Sequence, residues 1–328
     1  MTATSDCWLV VGPTHDLAFL LWKLGYDVWM WNARGNMYSN EHVKYKYNQE
    51  RFFNFSVHDY GYYDTPATID YILNVTNQKT LITIGHSMGA GMYLLAGSTR
   101  PEYQKKVLLN ILWGQAIMME HIRQKRRIKL GFKLHKFGNI FKNELHFARP
   151  GSQLSELKQF MCDPTQPRYV MCLWFMGRAS GPGSNQTNTN AVLKMMTKFP
   201  AGASFDVMHQ MNQNIDRGEF APLSYGRSKN LKIYGTVIPP PYPIGKIATP
   251  TAIYYGCCND FLSSAQDNEI LKNKLSNVIK FYKVPYVKFN HGDFLWGKDA
   301  YRLLYRDTIE LIEDYTPYES KKAMKLLP

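Results

Sequence analysis

The sequence is short of long apolar runs and of cysteine. No stretch approaches the roughly 18 consecutive apolar residues of a membrane-spanning helix, which argues against a transmembrane segment. The five cysteines form no C-x-x-C pair and no cysteine–histidine spacing typical of zinc, so we expect neither a disulfide-dense miniprotein nor a metal or other cofactor. Residues 1–6 are polar and lack the charged-then-apolar pattern of a signal peptide.

Acidic residues are scarce relative to basic ones. There are 26 Asp and Glu against 39 Lys and Arg, a formal net charge of +13. Nine of the basic residues lie between 117 and 150, against two acidic residues there. Such a patch is typical either of a solvated helical face or of a surface that meets nucleic acid or anionic lipid. Because no nucleic-acid-binding signature is present, we expect no nucleic-acid partner.

What is present is an ordinary globular composition with a repeated alternation of element types. The 328 residues are 45% hydrophobic and 20% charged, which fits one large domain or a domain with an insertion. Periodicity predicts helices over residues 16–25, 64–75, 88–97, 267–275 and 300–315, and strands over residues 26–31, 81–84, 106–112, 251–255 and 278–282. This order predicts an α/β fold with a mostly parallel sheet covered by helices on both faces.

The alternation is interrupted over residues 117–245. This segment is basic at first, then rich in Met, Gly, Asn and Pro, and shows helical stretches without regular strands. We interpret it as an inserted helical cap. The core is then discontinuous, made of residues 1–116 and 246–328.

The sharpest local signal is Gly85-His86-Ser87-Met88-Gly89 between a predicted strand and a predicted helix. A serine on such a turn exposes its hydroxyl above the sheet as a nucleophile, and the flanking glycines let backbone approach without a Cβ clash. The helix N-terminus behind Ser87 favours a developing oxyanion, and the backbone N–H of Met88 is the expected donor. The alternative is a tight strand-to-helix turn with a serine cap.

A nucleophilic serine needs a base and an acid that orients the base. When the serine lies on a strand-to-helix turn of this kind, the acid and then the histidine follow it along the chain. His291 lies in a loop after the last predicted strand, which predicts the base. Asp260 lies just past the strand over 251–255, the expected place for the acid. Asp267 fits a helix-capping role better, and Asp293 is more suited to orienting the loop of His291. We expect the remaining histidines, including His58, His86 and His209, to be structural.

These residues make the sequence resemble the acid lipase family of α/β-hydrolases, which includes lysosomal acid lipase, gastric lipase and insect relatives. The similarity runs from about Ser5 to Ile312. It is carried by motifs along the chain, among them Gly25-Tyr26-Asp27-Val28-Trp29, Asn32-Ala33-Arg34-Gly35-Asn36, Gly85-His86-Ser87-Met88-Gly89, Asn259-Asp260-Phe261-Leu262 and Phe289-Asn290-His291-Gly292-Asp293.

The resemblance implies a residue-by-residue assignment. Ser87 falls on the family's nucleophile, Asp260 on its acid and His291 on its base. It also implies a cap disulfide between Cys162 and Cys172 and a mobile lid over about residues 150–181. The triplets at Asn54, Asn74 and Asn185 match the acceptor pattern for N-glycosylation, and with the disulfide they favour a secreted or lysosomal protein.

The chain departs from the family pattern at two places. Met88 stands where the family usually has Gln, and only its backbone donor is needed. The family's His-Gly-Leu turn, which supplies a second oxyanion donor, and its signal sequence would both precede Ser5. We therefore expect an apparently N-terminally truncated chain, with one oxyanion donor and an unpaired sheet edge beside the strand that precedes Ser87.

The resemblance implies hydrolysis of neutral lipid esters, triacylglycerol or cholesteryl ester, by a Ser-His-Asp acyl-enzyme mechanism at a lipid droplet or membrane surface. One alternative is a small-ester carboxylesterase with the same machinery. Another is a catalytically impaired lipid-binding relative, because the His-Gly-Leu turn is absent.

Overall fold

The core of the protein is a parallel sheet. The computed structural model describes residues 3–123, 125, 153–318 and 320–321. Its four strands lie in the order β1-β2-β3-β4, and every neighbouring pair is parallel. They are β1 Leu81–His86, β2 Val107–Trp113, β3 Thr251–Tyr255 and β4 Val278–Lys283. The predicted α/β architecture is confirmed. Most of the basic stretch and the first residues of the predicted lid, 126–152, lie outside the described residues.

Helices connect and cover the strands. They are α1 Leu17–Lys23, α2 Val57–Asp59, α3 Thr65–Thr76, α4 Ala90–Thr99, α5 Gln153–Cys162, α6 Tyr169–Ser180, α7 Thr189–Met196, α8 Phe205–Arg217, α9 Arg227–Tyr234, α10 Ala265–Lys274, α11 Asp293–Trp296 and α12 Arg306–Tyr315. A π-helical turn precedes α3 at Tyr60–Asp64 and α12 at Tyr301–Tyr305. The helices that sequence periodicity predicts are therefore present, with ends that differ by a few residues.

Apolar clusters pack on both faces of the sheet, since successive side chains of a strand point in opposite directions. In β3, Ala252 and Tyr254 belong to the apolar cluster that contains Leu304, whereas Ile253 between them belongs to the cluster that contains Leu94. All of β3 is buried. Strands enclosed in this way read as continuous apolar runs, which is why the sequence signals them without a clear alternation.

Strand β1, which leads to Ser87, lies at an edge of the sheet. Within the described residues it pairs with β2 alone, and its six residues are all half-buried. This agrees with the expectation of an unpaired edge beside that strand.

The prediction of a strand over residues 26–31 is wrong for the structure described. These residues form no ladder, and Trp29, Met30 and Trp31 are exposed. Their β-rich composition indicates a strand, but a strand forms only where a neighbouring backbone supplies donors and acceptors. Instead, the Trp29 indole nitrogen donates to Asp27, and its ring contacts Tyr71 edge-on.

Adjacent strands β2 and β3 are far apart in sequence. Between Trp113 and Thr251 the described chain contains only helices and loops, α5 to α9, before it returns to the sheet. A disulfide joins Cys162 in α5 to Cys172 in α6, with Cα atoms 5.2 Å apart. Cys257 and Cys258 are also joined, and Cys7 is buried as a free thiol. Within the described ranges, every helix is too short or too polar to cross a bilayer.

Candidate active site

Ser87 occupies a strained turn between β1 and α4. Its φ is +60°, one of two positive values among the described non-glycine residues. Such a conformation costs about 1–3 kcal/mol and persists only where the surroundings hold it. Here the backbone N–H of Ala116, just past β2, donates to the carbonyl oxygen of Ser87 at 3.1 Å. The turn is thus fixed by the neighbouring strand, and the hydroxyl stands above the carboxyl end of the sheet.

The two glycines around Ser87 are not equivalent. A Cβ on Gly85 would lie 2.5 Å from the carbonyl oxygen of Gly89 and 2.6 Å from Cα of Ala90, so the start of α4 packs directly on that backbone. A Cβ on Gly89 would meet no atom within 4 Å. The expectation that both glycines permit a close backbone approach therefore applies to Gly85 alone.

The structure brings the three residues of the predicted triad together. Nε2 of His291 lies 2.8 Å from Oγ of Ser87. Nδ1 of His291 lies 3.0 and 3.1 Å from the two carboxylate oxygens of Asp260. With Nδ1–H donating to the carboxylate, the lone pair of Nε2 faces the serine hydroxyl, which is the arrangement that proton abstraction needs.

Asp260 is held by backbone donors as well as by the imidazole. It is 4% exposed, and its Oδ1 accepts from the N–H groups of Leu262 at 2.9 Å and Ser263 at 3.0 Å. These donors lie in the turn that follows β3. They hold the carboxylate in position to accept from Nδ1 of His291.

Asp267 and Asp293, the alternative candidates for the acid, make the structural contacts expected of them. Asp267 lies in the first turn of α10, where its carboxylate accepts from the hydroxyl of Ser264 at 2.7 Å and from the backbone and ring nitrogens of His121. Asp293 accepts from the backbone N–H of Asn290 at 2.9 Å and from the hydroxyls of Ser184 and Thr187. Burial raises the pKa of Asp293 to about 6.

Two of the other histidines lie at structural positions. His58 stacks between Tyr62 and Tyr242, and its Nδ1 lies 3.0 Å from the hydroxyl of Tyr242. His209 lies near Asp206 on the surface of α8. His86, by contrast, contacts the loop of the predicted base, with its Nε2 3.0 Å from the carbonyl oxygen of His291.

The backbone N–H of Met88 lies at the turn that opens α4, one residue after Ser87. A second candidate region for an oxyanion donor is the loop before α1. The N–H of Gly12 in that loop donates to Oδ2 of Asp16 at 2.8 Å, so this group is already engaged.

One feature of the site escaped sequence reasoning. The carbonyl oxygen of Ser180, the last residue of α6, accepts from the backbone N–H groups of His291 at 3.1 Å and Phe261 at 3.3 Å. Helix α6 therefore ends on the two loops that carry His291 and Asp260. The only sequence signal for this contact is Gly181, whose φ of +131° suits glycine.

The structure gives no indication of a metal centre. Among the residues that it describes, no group of three or more His, Cys, Asp or Glu side chains could hold a metal ion.

A serine lies in a left-handed turn between a parallel strand and a helix, its hydroxyl is hydrogen-bonded to a histidine, and that histidine is hydrogen-bonded to an aspartate; this arrangement defines the class of α/β-hydrolases. In agreement, the family model for the alpha/beta hydrolase fold matches residues 4–298.

Several curated relatives match most of the chain. "Lipase 1" of Drosophila melanogaster is 32% identical over 329 residues, which cover 98% of this chain and 72% of the relative. A "putative lysosomal acid lipase/cholesteryl ester hydrolase" of Crotalus adamanteus is 31% identical, with coverage of 95% and 77%. "Gastric triacylglycerol lipase" of Bos taurus is 30% identical, with coverage of 94% and 76%. The chain therefore belongs to the acid lipase family of α/β-hydrolases and is a serine ester hydrolase.

Proposed function

We propose that the chain hydrolyses the carboxylic ester bonds of neutral lipids, triacylglycerol or cholesteryl ester, through an acyl-enzyme formed on Ser87. The observation that carries this proposal is the continuous hydrogen-bonded path from Ser87 Oγ through His291 to Asp260. Two relatives are named as a triacylglycerol lipase and a putative cholesteryl ester hydrolase, and these names support the choice of substrate class.

The mechanism follows from the positions of these atoms. Ser87 Oγ attacks the ester carbonyl carbon while Nε2 of His291 takes the hydroxyl proton. The carboxylate of Asp260 keeps the imidazole in the productive tautomer and stabilises the imidazolium that forms. The N–H of Met88 donates to the oxyanion of the tetrahedral intermediate.

The acyl-enzyme forms when that intermediate collapses. The proton on His291 passes to the leaving alkoxide oxygen, and the ester C–O bond breaks. A water molecule then attacks the acyl carbonyl and gives its proton to the same nitrogen. Collapse of the second intermediate releases the fatty acid and returns the proton to Ser87. No step requires a metal or cofactor.

An exposed apolar surface on α5 and α6 supports a substrate that lies at a lipid interface. Six side chains of these helices are more than half exposed: Leu157, Phe160, Val170, Met171, Trp174 and Phe175. The four on α6 form two adjacent pairs that are four residues apart, so they share one helix face. An exposed apolar patch of this kind marks a surface that meets another apolar phase.

Cationic side chains border this surface. The guanidinium of Arg168 lies 3.9 Å from the ring centroid of Phe160, and that of Arg178 lies 5.5 Å from the ring of Trp174. Arginine beside exposed aromatic rings suits the boundary between an apolar phase and an anionic surface. We therefore propose peripheral binding of the α5–α6 pair to a lipid droplet or membrane surface.

We further propose the domain organisation that the sequence predicts, with a cap over residues 117–245 and a lid over about 150–181. The direct pairing of β2 with β3 supports an insertion between them. We also propose passage through the secretory or lysosomal route. Asn54, Asn74 and Asn185 are all exposed, and Cys162 and Cys172 are within bonding distance.

The proposal is tested with a series of substrates and an active-site probe. The full chain is incubated with a fluorophosphonate and assayed on p-nitrophenyl esters of increasing acyl length and on emulsified triolein and cholesteryl oleate. We expect covalent labelling of Ser87, a preference for long acyl chains and turnover of at least one emulsion. The Ser87→Ala variant, with its folding checked by circular dichroism, should lose both labelling and hydrolysis.

The alternatives give different results. If turnover is restricted to short soluble esters, the chain is a carboxylesterase rather than a lipase. Absence of labelling in a folded wild-type chain would contradict an enzymatic role and favour a lipid-binding protein. Peptide mass spectrometry of the secreted chain without reduction tests the route, which is contradicted if Cys162 and Cys172 are both free and all three sequons are unmodified.

A further inference from the structure

We propose that Asn259 and Asn290 are positioning residues that hold the acid and the base of the triad against the end of helix α6. Each asparagine directly precedes a triad residue, Asp260 or His291. Each donates its side-chain amide to a carbonyl oxygen of residues 180–187, which we call the strap. The inference rests on the proposed function of Ser87, because it assigns a role in that same reaction.

The side-chain amide of Asn290 holds the loop of the base through both its donor and its acceptor groups. Its Nδ2 donates to the carbonyl oxygen of Gly181 at 3.1 Å and to the hydroxyl of Thr187 at 3.1 Å. Its Oδ1 accepts from the backbone N–H groups of Gly292 at 2.9 Å and Asp293 at 3.1 Å. The side chain is buried, and its bonds to Gly181 and Asp293 form away from solvent.

The side-chain amide of Asn259 holds the loop of the acid through its donor group. Its Nδ2 donates to the carbonyl oxygen of Pro182 at 3.2 Å and to that of Lys288 at 2.8 Å. Lys288 lies three residues before His291 on the loop of the base. One amide group therefore joins the strap, the loop of the acid and the loop of the base.

The strap also binds the triad loops through its own backbone. The carbonyl oxygen of Ser180 accepts from the N–H groups of His291 and Phe261. The last carbonyls of a helix have no partner within the helix and must find one elsewhere. At the end of α6, the partners at Ser180, Gly181 and Pro182 all come from residues that directly precede or follow Asp260 or His291, or from His291 itself.

The contact is close enough to require glycine. A Cβ on Gly181 would lie 1.8 Å from the carbonyl oxygen of Asn259 and 2.9 Å from Cβ of Asn290. Any larger residue at this position would separate the strap from both loops. The strap therefore sets the distance between the two loops rather than merely lying over them.

Precise spacing of these loops matters for the reaction. Nε2 of His291 must stay within hydrogen-bond reach of Ser87 while Nδ1 stays on Asp260, and a misplacement of about 1 Å can reduce a rate by about 100-fold. Removing one amide donor takes away that asparagine's side-chain bond to the strap without touching a reacting atom, and leaves the loop's backbone bond to Ser180. We therefore expect kcat to fall while substrate binding changes little.

The test compares alanine variants of the two asparagines with a matched control. Asn259→Ala and Asn290→Ala are assayed on p-nitrophenyl butyrate in the full chain, and Ser87 labelling by fluorophosphonate is timed. The control is Asn230→Ala. Asn230 is also buried, and its amide donates to Ser224 Oγ at 2.8 Å and to the carbonyl of Val237 at 2.7 Å, but neither of its sequence neighbours is a triad residue.

We expect kcat and the labelling rate to fall roughly 10- to 100-fold for Asn259→Ala and Asn290→Ala, with KM within about threefold of wild type. Asn230→Ala should lose comparable thermal stability and keep its kcat. Serine variants, which retain a shorter donor, replace any alanine variant that does not fold and should fall between wild type and the expected alanine value.

Two results would overturn the inference: kcat values of the Asn259 and Asn290 variants within twofold of wild type, or an equal loss of kcat in Asn230→Ala. Both presuppose a wild-type chain that labels and turns over ester. A wild-type chain that does neither contradicts the proposed function instead, so the two failures are distinguishable.

Discussion

Nε2 of His86 lies 3.0 Å from the carbonyl oxygen of His291, and the two imidazole rings are 4.7 Å apart between centroids. The residue before the nucleophile thus contacts the backbone of the residue proposed as base. Burial lowers the pKa of His86 well below 6.5, and the charge that His291 can carry lowers it further. A neutral His86 can donate its Nε2–H to the carbonyl and adds no charge beside the reacting imidazole.

Replacing His86 with phenylalanine should keep the ring and lose the donor. We expect His86→Phe to lower the free energy of unfolding at pH 8 by about 1–3 kcal/mol, because a buried carbonyl oxygen loses its partner. We also expect kcat to fall several-fold because the loop of His291 is less constrained. Urea unfolding and ester hydrolysis measure the two effects, and His86→Gln, which keeps a donor, should recover part of both.

The pH dependence of His86 has a defined sign. Its pKa is lower in the folded state than in the unfolded chain, so the unfolded state binds more protons as the pH falls through about 6.5. The advantage of wild type over His86→Phe should therefore be full above that pH and shrink below it. An advantage that grows on acidification would contradict a neutral, buried His86.

The contribution of Asp293 to folding stability should change with pH in the opposite direction. Burial and the nearby charge of Asp260 raise its pKa from 3.8 to about 6, although Ser184, Thr187 and the N–H of Asn290 donate to it. Because the folded state holds the proton more tightly, the stability that Asp293 contributes is full below about pH 4 and is lost as the pH rises through 6. The total change is about 3 kcal/mol.

The variant Asp293→Asn removes this titration while it keeps a similar shape. We expect the difference in unfolding free energy, wild type minus variant, to decrease as the pH rises from 4 to 6 and to stay constant from 7 to 8. Urea unfolding at each pH measures it, and groups common to both proteins cancel. A flat difference across the whole range would mean that Asp293 titrates near its ordinary pKa in the folded chain.

The convergence of Ser87, Asp260 and His291 could be predicted because each follows a strand of one parallel sheet. The carboxyl ends of parallel strands meet at one edge, so residues distant in sequence become neighbours there. The contacts of Ser180 and Gly181 with the triad loops could not be predicted, since they join segments 81 to 111 residues apart through backbone carbonyl oxygens, which every residue has. For the same reason, composition alone marked residues 26–31 as a strand without showing whether a partner strand lay beside them.

The apolar surface of α6 should matter for emulsions and not for soluble esters. Trp174 is 65% exposed on that surface, so Trp174→Ser removes a large apolar contact with lipid while leaving the folded core intact. We expect binding to vesicles of phosphatidylcholine and triolein, and turnover of triolein emulsion, to fall at least fivefold. Turnover of p-nitrophenyl butyrate should stay within twofold of wild type.

A matched control exists on the first helix. Trp22 in α1 is also 65% exposed, so Trp22→Ser removes the same side chain with the same exposure from a different surface. It should leave both vesicle binding and emulsion turnover unchanged. Equal losses in the two variants would mean that exposed tryptophans bind lipid without regard to position, and the α5–α6 pair would lose its assigned role.

The turn that carries Ser87 predicts different responses from its two glycines. In Gly85→Ala the new Cβ would meet the carbonyl oxygen of Gly89 at 2.5 Å and the backbone nitrogen of Ala90 at 2.7 Å, neither of which can move without displacing α4. We expect the serine to be misplaced, with hydrolysis and fluorophosphonate labelling reduced at least 100-fold and a clear loss of thermal stability.

Gly89→Ala is the comparison, because Gly89 has a helical φ of −58° and open space at its Cβ. Alanine there restricts the unfolded chain and should raise the free energy of unfolding by about 0.4–1 kcal/mol while labelling stays near wild type. Comparable loss of labelling in both variants would show that the second glycine of the motif is required by contacts with the substrate rather than by the fold.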